Sequence, residues 1–162
     1  MRVNGHKIKN GANLRSAFLE NANLLSANLI GANLCDANLS GAIMRNANLC
    51  DANLTNANLW GASLDFSNLS NANLSNASLW GANLTGADLY GANLSGAMMF
   101  RTNLTGANLT GANLSDVRLN EANLTGANLT GANYQGDANV GDANLTGAKL
   151  SGATMPDGTL HK

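Results

Sequence analysis

An all-β solenoid, a coil of short strands stacked turn on turn, is the fold this sequence predicts, and two observations predict it. From Leu14 to Tyr134 a leucine, or a Met or Tyr in its place, returns every fifth residue, with alanine two places before it at nearly every repeat. Two places after it stands mostly Gly, Asn or Asp, as at Gly31, Gly41, Asn46, Asp51, Gly61 and Gly81. A period this short, held over most of a chain of 162 residues, marks a structural repeat.

Each pentad divides into a strand and a corner. With the leucine position called i, alternation along an extended segment sends Ala at i−2 and Leu at i to one side and Asn at i−1 to the other. The residues favoured at i+2 tolerate the positive φ of a type II turn, so the chain is expected to bend there. A three-residue strand cannot bury its face alone, but winding pentads into stacked coils builds a continuous leucine core and pairs the backbone between coils. The outward exceptions give the number of sides. At i+1, Trp60, Trp80 and Phe100 lie twenty residues apart, and so do the departures from Asn at i−1, Ser78, Met98 and Arg118, with Phe18 in the same phase. Four pentads per coil is the expected winding.

These residues resemble the pentapeptide-repeat family of the A(N/D)Lxx type, abundant in cyanobacteria, over about residues 12–160. The resemblance implies a right-handed quadrilateral parallel β-helix of about seven coils, a rod on the order of 35 Å long at ~4.8 Å per coil.

The domain division follows from the frame. Residues 1–10 do not fit the pentads, and Val3 and Ile8 among basic residues suit an N-terminal cap over exposed strand edges. The β-helix is expected over 11–162, closed by a Pro156-Asp157-Gly158 turn within a cap near 155–162. Inside it, Met44 and Met99 stand in for Leu, while Ser67 and Thr102 replace Ala and need backbone partners for their hydroxyls. Val117 at the same place is a bulkier filler. One extra residue falls in Gln135-Gly136-Asp137, after which Val140, Leu145, Leu150, Met155 and Leu160 resume the period. It is expected to bulge outward, since drawing it inward would reverse every later side chain, and Tyr134 could send its hydroxyl out through the disturbed corner.

Composition removes several classes of function. No run approaches the roughly 18 apolar residues of a membrane span, and the N-terminus lacks the apolar stretch of a secretory signal, so the cytoplasm is the expected compartment. Cys35 and Cys50, fifteen residues apart, are expected to stay reduced. The Asn-Leu-Thr and Asn-Leu-Ser triplets are by-products of the repeat, and the outward Asn can form amide ladders instead of carrying glycans.

Catalysis needs an acid, base, nucleophile or metal in a concave pocket, and a filled rod offers none. His6 and His161 belong to opposite ends, no Cys/His set has metal spacing, and Asp36 and Asp116 stand four coils apart. No enzyme activity and no cofactor are expected. Nucleic-acid binding has only Arg2, Lys7, Lys9 and Arg15 to support it, without interleaved aromatics.

The leading expectation is a protein-interaction scaffold, monomeric or weakly dimeric, whose unidentified protein partner meets Trp60, Trp80, Met98 and Phe100 on one face. Against it stands the plainer reading that stacked aromatics reinforce adjacent coils. An alternative is DNA mimicry toward a type II topoisomerase such as gyrase, which some members of the family bind. The acid excess here falls far short of one charge per ~1.7 Å, and Asp88 is the sole acid at i−1 over the continuous repeat. A threonine array, Thr85, Thr105 and Thr125, suggests an ice-binding surface, but Arg45 and Asp65 interrupt it. Far-ultraviolet circular dichroism tests the fold: a strand and turn spectrum is expected, and one dominated by helix would contradict the whole reading.

Overall fold

The computed structural model describes residues 2–136, 138, 139, 144, 146, 149–151, 160 and 161. It forms a right-handed quadrilateral β-helix whose coils stack in parallel. The column Asn13–Asn33–Asn53–Asn73–Asn93–Asn113–Asn133 is joined by bridges between residues twenty apart, as are the columns on the other sides. Four pentads therefore close one coil.

Every corner is built alike. The residue at i+2 has φ between 52° and 68° from Ser16 to Gly131, and the next alanine N–H donates back to the leucine carbonyl, as Ala17 does to Leu14 at 3.0 Å. A positive φ at the third turn residue closed by that bond is a type II turn. Among the described residues fourteen other than glycine hold positive φ, and Phe66, at 57°, is the bulkiest of them. Its ring rests over Gly86 one coil on, where an added Cβ would lie 2.7 Å from a ring carbon.

One pentad shows how the backbone is satisfied. Ala32 N–H donates to Leu29 within its corner, Asn33 N–H to Ala12 of the coil below, and Leu34 N–H to Asn53 of the coil above. Asp36 N–H donates to Thr55, again above. Cys35 N–H has no backbone acceptor and donates to the side-chain Oδ1 of Asn33 at 3.1 Å. The outward asparagine thus completes the strand's own hydrogen bonding, and this explains its recurrence better than solubility does.

Inside, Leu and Ala alternate in depth and almost all are fully buried, with Met44, Met99 and Val117 in the same column. Each buried leucine contributes about 1.5–3 kcal/mol of hydrophobic stabilisation. Ser67 Oγ donates to Leu64 O at 2.6 Å and Thr102 Oγ1 to Leu79 O at 2.8 Å, so both hydroxyls have the backbone partner they need.

The N-terminus is a small hairpin. Strand β1 (Arg2–Val3) pairs antiparallel with β2 (His6–Lys7) across Asn4-Gly5, whose φ values of 49° and 82° are both positive. Asn-Gly is the favoured pair for so tight a turn. Ile8 is buried, Val3 packs against the core, and Asn4 Nδ2 donates to Phe18 O at 3.2 Å. That carbonyl faces the side where a preceding coil would have supplied its donor.

At the other end the spacing lengthens by one: Arg118 bridges Asn139, Asn123 bridges Asn144 and Asn128 bridges Lys149. Asn139, Asn144 and Lys149 thus stay in the outward columns at the lengthened spacing, while the expected outward bulge in Gln135-Gly136-Asp137 turns on Asp137, which lies outside the described residues. Two expectations are corrected. Tyr134 does not send its hydroxyl outward; the residue is 2% exposed and its hydroxyl has no hydrogen-bond partner among the described residues. It occupies an inward position before the extra residue, so the insertion leaves its direction unchanged, and burial raises its pKa above the usual tyrosine value. Leu160, expected at an inward position, is 67% exposed. Leu150 packs against the core, whereas Val140, Leu145, Met155 and the Pro156–Gly158 turn lie outside the described residues.

The corners give a direct test. Gly106→Ala adds a Cβ into open space at φ 65° and should cost about 1 kcal/mol through the backbone alone. Gly86→Ala should cost more in urea unfolding, because the same backbone penalty is joined by a collision with Phe66. Equal losses would mean that the Phe66 ring does not sit on that corner.

Candidate interaction face

The residues singled out in the sequence fall on one side of the rod. Its central column runs Phe18–Asn38–Asn58–Ser78–Met98–Arg118, and Trp60, Trp80 and Phe100 stand along the corner that follows. Trp60 is 59% exposed, Trp80 49% and Met98 46%. Phe100 is part-buried, more covered than these three. The Trp80 ring meets it edge-on at 5.3 Å, and the Arg101 guanidinium lies 5.0 Å from its centroid. Such a pair is worth roughly 0.5–1.5 kcal/mol beyond burial, so part of the strip does reinforce adjacent coils.

The strip is not one continuous platform. Trp80, Met98 and Phe100 line an open cleft of about 360 Å³ with Ser78, Arg118 and Asn120. Trp60 borders a separate hollow of about 200 Å³ beside Glu20, Asn21, Ser40 and Gly41. Trp80–Phe100 is the one ring pair among the described residues. Phe18, 77% exposed at the head of the central column, lies on the same face but outside the four residues that the sequence singles out. Its replacement of Asn in the phase of Met98 was the available signal.

This face also forgoes the strand's own hydrogen bonds. From Asn13 to Asn133 an Asn or Asp at i−1 accepts the N–H at i+1, as Asn58 accepts from Trp60 and Asp88 from Tyr90, both at 3.1 Å. Phe18, Ile43, Ser63, Ser78, Met98 and Arg118 replace it, and four of these six stand in one column. Each omission surrenders about 1 kcal/mol of hydrogen bonding. Concentrated in one column, the omissions leave side chains that cap nothing and project outward.

Elsewhere the polar surface is occupied with itself. Thr85, Thr105 and Thr125 direct both N–H and hydroxyl to the Asn of their own pentad, with Oγ1 at 2.6–2.7 Å. The expected amide ladder is present: Asn93 Nδ2 donates to Asn73, Asn113 to Asn93 and Asn133 to Asn113 at 3.2–3.4 Å. Asp36 is paired with Arg15 at 2.9 Å, Glu121 with Arg101 at 2.7 Å, and the buried Asp65 with Arg45. Hydrogen bonds from Asn56 and Cys35, with Arg15 nearby, hold the Asp36 carboxyl below its ordinary pKa. Desolvation and the adjacent Asp36 push the Cys35 thiol up, away from reactive thiolate character. Both cysteines are unbridged. Among the described residues no group of three His, Cys, Asp or Glu could hold a metal ion, and no helix is long and apolar enough to cross a membrane.

Several solved structures are similar to this chain. Trypsin-treated QnrB1, a plasmid-mediated fluoroquinolone resistance protein, superposes with a TM-score of 0.65 at 19% identity, over 91% of this chain and 76% of that one. HetL, a pentapeptide repeat protein involved in heterocyst differentiation regulation in the cyanobacterium Nostoc sp. strain PCC 7120, gives 0.48 at 28% identity, over 96% and 94%. A pentapeptide repeat protein of the Arabidopsis thaliana thylakoid lumen gives 0.41 at 31% identity, over 68% and 69%. No curated protein matches the sequence. The model of the pentapeptide repeats matches eight copies over residues 10–41, 36–65, 67–106 and 99–133. With its corners, four-sided coils and Ala-Leu core accounted for, the chain belongs to the pentapeptide repeat family.

Proposed function

We propose that this protein is a non-catalytic scaffold that presents one rigid face, carrying Trp60, Trp80, Met98 and Phe100, to another protein. The observation behind this reading is the column from Phe18 to Arg118. There the fold gives up stabilising asparagines and exposes large apolar and cationic side chains instead. Aromatic, Met and Arg side chains are enriched at protein interfaces, and a rigid backbone holds them ready without an ordering cost on binding.

DNA mimicry toward a topoisomerase is the weaker reading. The likeness to QnrB1 is one of fold, at 19% identity. Asp36, Asp65 and Glu121 are each neutralised by an arginine, and Asp88 accepts hydrogen bonds from Tyr90 N–H and Asn108 Nδ2. The dense anionic array that a DNA duplex presents has no counterpart among the described residues. Gyrase supercoiling that proceeds unchanged in the presence of the protein is the expected result.

Two substitutions separate binding from stability. Trp60→Ser with Trp80→Ser should abolish capture of a partner from native extract while lowering the melting temperature by no more than a few degrees. Loss of melting temperature with capture intact would assign the tryptophans to coil reinforcement. Met98→Asn restores the missing acceptor for Phe100 N–H and should raise unfolding stability by about 1 kcal/mol while weakening capture. A Met98→Asn protein that is no more stable would remove the argument from omitted asparagines.

A further inference from the structure

The same face carries a pattern that identifies its occupant, and this inference rests on the scaffold reading above. We infer that the face pairs with the same face of a second copy of this chain, antiparallel, about a two-fold axis that lies between the two rods, level with the gap between the coils of Trp60 and Trp80. A two-fold axis lying in the contact plane and perpendicular to the rods lays each column against itself in reverse order. Residues whose numbers sum to about 140 along the Trp corner, and about 136 along the central column, then stand opposite each other.

Shape matches in this register. Trp60 faces the partner's Trp80, twice across the axis, forming an aromatic centre. The hollow lined by Ser40, Gly41 and Trp60 receives the partner's Phe100 and Arg101, so the small residues of the N-terminal half lie against the large ones of the C-terminal half. Phe18, 77% exposed, meets the partner's Arg118 beside the cleft that Met98 and Trp80 line, an arrangement suited to cation–π attraction.

Charge matches as well. Across the face near its N-terminal end the order is Arg15, Phe18, Glu20, and near the other end it is Asp116, Arg118, Asn120. Antiparallel pairing sets Glu20 within side-chain reach of the partner's Arg118, while Arg15, which comes opposite the partner's Asp116, is already paired with Asp36 at 2.9 Å. Glu121, which comes opposite the partner's Asn21, is already neutralised by Arg101 at 2.7 Å. A parallel arrangement would instead put Arg118 against the partner's Arg118. The face measures roughly 30 Å by 20 Å and so would bury about 1,200 Å² in all, the low end for a specific interface. Reversible, concentration-dependent association is the consequence.

Sedimentation velocity from low micromolar to several hundred micromolar protein tests this. The wild type should pass from monomer to dimer. Glu20→Arg and Arg118→Glu should each weaken association about tenfold or more, and combining them in one chain should restore it, since both symmetric contacts re-form with signs reversed. Circular dichroism and melting of each variant confirm that it is folded. Dimers that tolerate the single reversals, or that the double reversal does not rescue, would overturn the antiparallel register. A wild type that stays monomeric throughout, while extract capture still depends on Trp60 and Trp80, would overturn self-pairing and leave the scaffold reading standing. A monomer with no such capture would overturn both.

Discussion

The structure depends on one interaction, the hydrogen-bond ladder that joins each strand residue to its equivalent one coil away. Leu34 N–H reaches Asn53 O above while Asn33 N–H reaches Ala12 O below, and this exchange recurs on every side of the rod. From Asn13 to Asn133 it closes evenly because each coil contains twenty residues and each corner turns by the same amount. The corner's positive φ and its alanine-to-leucine bond supply that uniformity. Inward Ala and Leu follow from the ladder, because a strand paired above and below leaves its alternate side chains no course but into the core or out to solvent.

Constancy of the ladder makes departures from the repeat informative in energetic terms. A buried Ser67 or Thr102 is tolerated because a carbonyl stands within reach of its hydroxyl, so these two are packing variants. An outward Met98 or Arg118 is different in kind. It removes the acceptor that Asn supplies to its own strand and gains no compensating bond from its pentad. The register shift beyond Tyr134 is a third case. One extra residue is taken up there and the ladder continues, with Arg118 bridging Asn139 and Asn123 bridging Asn144 at the lengthened spacing.

Much of this was legible in the residues. The i+2 preference for Gly, Asn and Asp marked the corners, the phase of Trp60, Trp80 and Phe100 pointed to four sides, and the need of Ser67 and Thr102 for partners was evident from their place in the pentad. Other features were hidden by the repeat's own regularity. Asparagine at i−1 reads as polar surface until Oδ1 is seen accepting the N–H two residues on. Asp65 reads as one more outward acid, yet it is 3% exposed beneath Arg45. Phe100 reads as the equal of Trp60, but the Trp80 ring and Arg101 half-cover it. The Asn4-Gly5 hairpin carries a turn signal of its own, Asn-Gly between Val3 and His6, but it lies outside the pentad frame and the period says nothing of it.

The sequence by itself determined the period, the inward and outward sides and the corner geometry, because these are local: alternation and turn preference act within five residues. The tertiary structure decided how far each outward residue is covered, and that the column of Phe18, Ser78, Met98 and Arg118, whose common phase the residues already showed, lacks the acceptor that Asn supplies to its own strand. Those properties arise between residues twenty apart, where side-chain reach and packing across coils operate and local preference has no hold.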